Sequence, residues 1–154
     1  MTSRSQHLIY LAQSVADERP AFFDIKGAGA GDRDTNEFMA ILRDRAHAAF
    51  GHDFAEKEIC GDNGLCVDFY FPEEETIVEV ALSLRNPLSE FERDILKAIM
   101  AKEAGRPVRQ LLFISKPGAT KRCSQPGARA IAGWVERARG INIEVQELRV
   151  GRAV

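Results

Sequence analysis

The sequence predicts an α/β protein with a single mixed β-sheet flanked by helices. Four segments carry apolar side chains at helical spacing, three strand-like segments follow one another closely, and two more strand-like segments alternate with helices. Closely spaced strands pair in an antiparallel meander, whereas later strands separated by helices join the same sheet by crossovers. The predicted order is therefore helix, helix, three strands, helix, strand, helix, strand.

The first two helices are predicted from their apolar faces and their ends. Residues 5–18 carry one apolar face, and Pro20 ends the run because proline cannot continue a helix. A second helix is predicted over residues 35–50, since Asp34 and Glu37 have the spacing of a capping box. The glycine-rich KGAGAGDRD between them lacks the Gly-Lys-Ser/Thr of a phosphate-binding loop, so we expect no nucleotide site there.

The three-stranded meander is predicted over residues 55–82. Its strands are AEKEIC, LCVDFYF and TIVEVAL, and its links are GDNG, whose Asn-Gly pair favours a tight hairpin, and PEEE. The later elements are, in chain order, a helix that begins at a Ser89–Glu92 capping box, a strand over 109–115, the loop KPGATKRCSQPG, a helix over 128–140 and a strand over 141–148.

Length and composition predict one cytoplasmic domain. A chain of 154 residues with 45% hydrophobic residues can bury a core and fold alone, with a helix and loop over residues 1–33 and the main core over residues 34–148. No segment has the continuous apolar run of a signal peptide or a membrane span. Three cysteines are an odd number, which favours a reducing compartment, and Cys60 with Cys66 lacks the further ligands of a zinc site.

Charge is distributed unevenly along the chain. Residues 1–104 hold 11 Lys and Arg against 20 Asp and Glu, whereas residues 105–154 hold 10 against 3, although the net charge is only -2. This division is compatible with an acidic, cation-binding half and a half that faces phosphates, and equally with ordinary solvated surfaces.

Two carboxylates interrupt the apolar strands of VDFYFPEEETIVEVAL, residues 67–82. If PEEE is the hairpin loop, Asp68 lies directly opposite Glu79 on the same face, with Cβ atoms roughly 4.5 to 5.5 Å apart. Two ionised carboxylates so placed repel one another, and Mg²⁺ or Mn²⁺ would compensate them. The other face of the strands is apolar, so the acidic pair is expected on the face away from the core. Alternatively the pair belongs to a surface row of charges in which Lys57 neutralises Asp68.

The order of elements and these acids resemble the PD-(D/E)XK superfamily of restriction-endonuclease-like nucleases. Over residues 35–148 the chain has a helix with an inward glutamate, Glu37, then a meander with Asp68 on its second strand and Glu79 on its third, then helix, strand, helix, strand. The resemblance implies an αβββαβ core and a nuclease that hydrolyses phosphodiester bonds in DNA. It implies Asp68 and Glu79 as catalytic metal ligands, with Glu37 and the backbone carbonyl of Val80 completing the site.

The lysine of the family motif is absent from its usual place, which is Ala81. Lys57 is the preferred replacement as the catalytic lysine, because it is expected on the acidic face, opposite Asp68 or Tyr70. Lys116 is a further possibility. A helical wheel places Lys97 roughly 160° from the apolar face of its helix, so we expect it in solvent.

The resemblance also implies a nucleic-acid partner, DNA rather than RNA. Four basic residues, Lys116, Lys121, Arg122 and Arg129, are candidates for phosphate contacts, and a solvated loop is the alternative. Trp134 and Phe113 are expected in the core rather than as base-stacking platforms. The net charge of -2 argues against tight nonspecific binding by a monomer and favours a homodimer, a partner or a structured substrate.

The sequence is also compatible with a domain that has lost catalysis. Ala81 at the lysine position is also what a catalytically degenerate domain would carry. Such a domain would keep the nuclease fold and act as a nucleic-acid-binding or protein-assembly module.

Overall fold

The computed structural model describes residues 2–19, 23, 30–82 and 87–150. The chain divides into two compact units, Met1–Asp53 with Leu148–Val154, and Phe54–Glu147. The single-domain organisation stays a prediction. Within the described ranges no helix is both long and apolar enough to cross a bilayer.

The described residues of the first unit form two α-helices, α1 (Arg4–Asp17) and α2 (Ala30–Phe50). Ser3 caps α1, because its hydroxyl accepts a hydrogen bond of 3.2 Å from the backbone N–H of Gln6. Apolar side chains at helical spacing are buried on both helices and form the core of this unit: Leu8, Ala12, Val15, Phe38, Leu42 and Ala46.

The start of α2 differs from the prediction. The helix begins at Ala30, so Asp34 and Glu37 lie inside it and the predicted capping box was wrong. No proline stops the helix from extending towards its N-terminus, and acidic side chains near a helix start are favourable for its dipole as well as for capping. The same residue types therefore satisfy two different helix boundaries.

The second unit contains a five-stranded sheet in the order β1-β2-β3-β4-β5. The strands are β1 (Ala55–Lys57), β2 (Val67–Phe71), β3 (Thr76–Val80), β4 (Gln110–Ser115) and β5 (Asn142–Glu147). The first three strands are antiparallel, and β3, β4 and β5 are parallel. The predicted α/β class with a single mixed sheet flanked by helices is therefore confirmed.

Three α-helices lie in the part of this unit that the structure describes: α3 (Pro87–Glu103), α4 (Ala119–Cys123) and α5 (Pro126–Arg139). Helix α3 begins before Ser89, so the predicted capping box was again wrong; proline at the first helical position has its φ already set for a helix. The predicted loop contains the short helix α4, which buries Ala119 and Cys123. The connection from β1 to β2 spans residues 58–66 and is not a tight hairpin.

Both faces of the central strands are buried. One face carries Ile77 and Phe113, which belong to an apolar cluster with side chains of α3 and α5. The rings of Phe91 on α3 and Phe113 on β4 lie 5.2 Å apart. Val78 and Ile114, on the other face, are also buried. Since the sheet has no solvent-facing side at its centre, any charged residue there needs a partner.

Glu75, in the turn between β2 and β3, carries backbone strain that glycine would relieve. Its φ of 49° and ψ of 38° lie in the left-handed region, and its carbonyl accepts hydrogen bonds from the backbone N–H groups of Arg109 and Gln110. We expect Glu75→Gly to raise the free energy of unfolding by about 0.5 to 1 kcal/mol, measured by urea denaturation. Glu75→Ala is the control, because alanine keeps the Cβ. Equal stability of the two variants would contradict this expectation.

Candidate functional site

The carboxylates of β2 and β3 meet as the sequence indicated. Phe71 pairs with Thr76, and the same register carried back along both strands sets Asp68 opposite Glu79. The backbone N–H of Val80 donates a hydrogen bond of 2.7 Å to Oδ2 of Asp68. The hairpin thus fixes the position of one carboxylate beside the other.

The surroundings of this pair differ from the prediction. Glu79 shares its face with Ile77 and Ala81, which are two residues away on either side and belong to the apolar cluster. Glu79 itself is only 4% exposed. The expectation that the acidic pair lies on the face away from the core was therefore wrong, because the helices after β3 cover this face.

Lys97 on α3 is the cation that reaches the acids. Its Nζ lies 3.2 Å from Oε1 of Glu79 and 3.4 Å from Oδ1 of Asp94. It donates hydrogen bonds to Oε2 of Glu79, at 3.3 Å, and to the carbonyl of Cys66, at 2.8 Å. Lys97 is only 9% exposed, so the prediction that it lies in solvent was wrong.

The helical wheel failed because it missed the small residues of the buried face. Ala98 and Ala101 are fully buried, and at about 100° per residue they shift the centre of that face by roughly 35° towards Lys97. Lys97 therefore lies at the border of the buried face, from which a long aliphatic stem carries the ammonium inward.

Asp94 is a site residue that the sequence reasoning missed. It is 5% exposed and lies one turn before Lys97, on the same border of α3. The available signal was the spacing of an acid and a lysine three residues apart, which places them side by side on a helix. That spacing is common on exposed helix faces, so it indicated no site by itself.

Electrostatics in this cluster favour a bound proton. Burial raises the pKa of Glu79 to about 9, and repulsion by Asp68 and Asp94 adds to the effect against the attraction of Lys97. Burial also raises the pKa of Asp94, to about 6. Burial alone would lower the pKa of Lys97, but Glu79 and Asp94 outweigh it and the net shift is upward. Three carboxylates around one ammonium thus hold a proton that solvent-exposed acids would release.

The raised pKa of Glu79 predicts how stability depends on pH. From about pH 5 to about pH 9 the folded state retains a proton that the unfolded state has lost, so this group lowers the free energy of unfolding as pH rises. Glu79→Gln removes the titration. The free energy of unfolding of Glu79→Gln minus that of wild type should therefore increase with pH, by up to about 1.4 kcal/mol per pH unit. Urea denaturation across this range measures the difference, and a pH-independent difference would contradict the assignment.

One carboxylate oxygen in the cluster accepts no hydrogen bond. Oε1 of Glu79 is buried and lies within ion-pair distance of Lys97 without hydrogen-bond geometry. Carboxylate oxygens are the ligands that Mg²⁺ and Mn²⁺ prefer, so the chemistry of the donors fits a hard cation. In the parts of the chain that the structure describes, however, no three or more His, Cys, Asp or Glu side chains are grouped to hold a metal ion.

Lys57, the predicted catalytic lysine, lies away from the acidic pair. Lys57 pairs with Val67 rather than with Asp68 or Tyr70, so the expectation that it shares the acidic face was wrong. The long connection over residues 58–66 shifts the register by one residue, which moves a side chain to the opposite face.

Glu37 on α2 was expected to point inward. Its side chain is instead 49% exposed, and its Oε1 lies 2.9 Å from Nη1 of Arg19. The metal-binding role of Glu37 and the catalytic role of Lys57 stay predictions, as does the role of the Val80 carbonyl.

The basic candidates follow β4 in the chain. Lys116 comes directly after the strand, and its N–H donates to the carbonyl of Leu82. Lys121 and Arg122 lie on α4 and Arg129 lies on α5, and all three are exposed. Lys121, Arg122 and Arg129 are therefore accessible to a polyanion.

Two further expectations can be compared with the structure. Phe113 is fully buried, as expected, but Trp134 is 49% exposed, so the prediction that it belongs to the core was wrong. Cys60 and Cys123 are buried and Cys66 is exposed, and all three thiols are free.

The chain was compared with protein families, with curated proteins and with solved structures. None of these comparisons gave a match.

Proposed function

We propose that this protein is a divalent-metal-dependent nuclease that hydrolyses phosphodiester bonds in DNA, with Lys97 as the lysine of its active site. The observation that carries the proposal is the contact between the Lys97 ammonium and Glu79, beside Asp68. The motif lysine would stand at Ala81, and Lys97 supplies an amino group to the same carboxylate from α3. Lys97 would thereby take the role of the missing motif lysine.

Asp68 and Glu79 would hold Mg²⁺ or Mn²⁺, with the backbone carbonyl of Val80 as a further candidate. A bound divalent cation polarises a phosphate and lowers the pKa of a coordinated water. The chain itself orients the acids, since the Val80 N–H holds Asp68 and Lys97 holds Glu79. The Lys97 ammonium would also stabilise the negative charge that develops on the phosphate during attack.

Substrate binding would rely on the basic residues after β4. Lys116, Lys121, Arg122 and Arg129 would contact the phosphate backbone, the contact that contributes most to nucleic-acid affinity. Since the net charge is -2, we propose that a homodimer or a structured DNA supplies the remaining affinity, and that the protein acts in the cytoplasm.

One observation favours a second candidate function. Lys97 already compensates Glu79 and Asp94, so the buried acids have a partner without any metal. A catalytically degenerate domain that binds nucleic acid or assembles with protein would have this arrangement.

A cleavage assay separates the two candidates. Wild-type protein and Asp68→Ala are incubated with linear, branched and single-stranded DNA in Mn²⁺ or Mg²⁺, with a chelator control. The nuclease proposal expects metal-dependent cleavage that Asp68→Ala lowers by about a hundredfold or more. If wild type binds DNA but cleaves no substrate, the degenerate module is the better description. If Asp68→Ala cleaves as fast as wild type, Asp68 is not part of the active site.

A further inference from the structure

The outer surface of α5 carries an exposed tryptophan among small residues. Trp134 is 49% exposed, which is unusual for the largest apolar side chain. Residues four or seven positions away lie on the same side of a helix, and those around Trp134 are small and exposed: Gly127, Ala130 and Ala138. No long side chain of this row covers the indole, so its face is accessible to a planar partner.

The surface around this tryptophan is positively charged. Helices α4 and α5 expose five basic residues, Lys121, Arg122, Arg129, Arg137 and Arg139, and one acidic residue, Glu136. Arg139 is paired with Glu103 on α3. Within the residues that the structure describes, Lys121, Arg129 and Arg137 form no ion pair. A polyanion would therefore find cations here that are not already neutralised.

Arg137 folds back over Gly133, which has no side chain to block it. Nη1 of Arg137 lies 3.1 Å from the position that a Cβ on Gly133 would occupy. The guanidinium thus folds back over the helix, and Arg137 is also three residues after Trp134, where helical side chains are neighbours. An exposed indole and an exposed guanidinium thus belong to neighbouring positions of one helix.

We infer that the exposed side of α5, which carries Trp134, Arg137 and Arg129, binds single-stranded nucleic acid together with Lys121 of α4. The indole stacks on an unpaired base and the basic side chains contact phosphates, which is how proteins bind single strands without reading sequence. The bases of a duplex are already stacked on one another and offer the indole no free face, whereas a docked protein would leave unpaired arginines at its interface. The inference rests on the nucleic-acid partner of the proposed function, and it requires neither a metal ion nor hydrolysis.

Trp134 is the only tryptophan of the chain, so its fluorescence reports on this surface alone. The full-length protein is titrated in a chelator with oligo(dT), with oligo(U) and with a duplex of the same length. Single strands of either sugar should quench the emission, and the duplex should need at least tenfold more nucleotide. A preference for oligo(dT) or oligo(U) identifies DNA or RNA as the natural strand. No quenching by any single strand, or equal quenching by the duplex, would overturn the inference.

Variants then assign the affinity to named side chains. Trp134→Ala should weaken binding of a labelled oligo(dT) by roughly tenfold or more, whereas Trp134→Phe keeps a stacking face and should lose less. Tyr10→Ala, at an aromatic residue that is 68% exposed on α1, is the matched control and should bind as wild type.

Removing both Arg129 and Arg137 should lower the slope of log Kd against log salt by about 1.4. Unchanged oligonucleotide binding by Trp134→Ala would exclude the surface as a nucleic-acid site. Loss of self-association in sedimentation by that variant, with oligonucleotide binding intact, would identify a protein interface instead. Because all binding is measured without metal, a protein that binds oligo(dT) but cleaves nothing refutes the nuclease and not this surface.

Discussion

Replacing Lys97 with alanine is expected to lower metal-dependent cleavage by about a hundredfold or more. The ammonium is buried against Glu79 and Asp94, in a site where charge on the phosphate would be poorly screened by water. Removing one preorganised donor or one acid–base group from such a site has this order of effect. The measurement is the single-turnover rate of cleavage in Mn²⁺ by wild type and variant at the same pH.

Two further variants make this result specific. Lys57→Ala is the matched control, since Lys57 lies opposite Val67 and away from the face of Asp68. Ala81→Lys in the Lys97→Ala background restores a lysine at the motif position and should recover part of the rate. If Lys97→Ala cleaves as wild type while Lys57→Ala does not, the catalytic lysine is Lys57.

Lys97→Ala also changes stability, and the two effects need to be separated. Leaving Glu79 and Asp94 buried without their cation should cost about 3 kcal/mol of unfolding free energy, and binding of a proton by Glu79 would reduce that cost. Urea denaturation measures it. Cleavage is therefore compared at a temperature where circular dichroism shows both proteins folded. If Ala81→Lys in the Lys97→Ala background restores the cleavage rate but not the free energy of unfolding, the lysine has a direct chemical role in cleavage.

Replacing Glu79 with alanine is expected to weaken Mn²⁺ binding by at least about tenfold. Glu79 supplies the buried Oε1 that accepts no hydrogen bond, and a hard cation would use such an oxygen. Calorimetric titration of Mn²⁺ into both proteins measures the affinity, and proton release should decrease together with it, because the pKa of Glu79 is raised to about 9.

The control for this experiment is another acid of the same unit. Glu92→Gln alters an exposed carboxylate on α3 and should leave Mn²⁺ affinity unchanged. Equal affinity of wild type and Glu79→Ala would remove the metal site, and so would the absence of any binding heat in wild type. The buried acids and Lys97 would then be a structural ion network.

The pattern of apolar residues in the sequence was sufficient to predict the fold class and the opposition of Asp68 and Glu79. The apolar runs in TIVEV and LLFIS predicted the strands, and the short PEEE link predicted the register that sets Asp68 opposite Glu79. Local rules suffice there because a short hairpin allows few registers and one shift would move every side chain to the other face. The connection over residues 58–66 is longer, and there the predicted register and the position of Lys57 failed.

Helix ends and single charged residues depended on more than local sequence. Asp34 and Ser89 have the residue types of caps, yet α2 and α3 begin before them. Similarly, Trp134 has the large apolar side chain of a core residue but lies on the outer side of α5. Capping energies of about 1 kcal/mol are small enough for neighbouring interactions to outweigh.

The sequence by itself thus determined the mixed sheet and the meeting of two carboxylates, because both follow from strand alternation and one short turn. Only the tertiary structure decided that the pair is buried, that Asp94 joins it and that Lys97 is its cation. These facts depend on which side of α3 packs on the sheet. Lys97 and Glu79 are 18 positions apart in the sequence, and the packing of α3 on the sheet brings them together. No local sequence pattern predicts that contact.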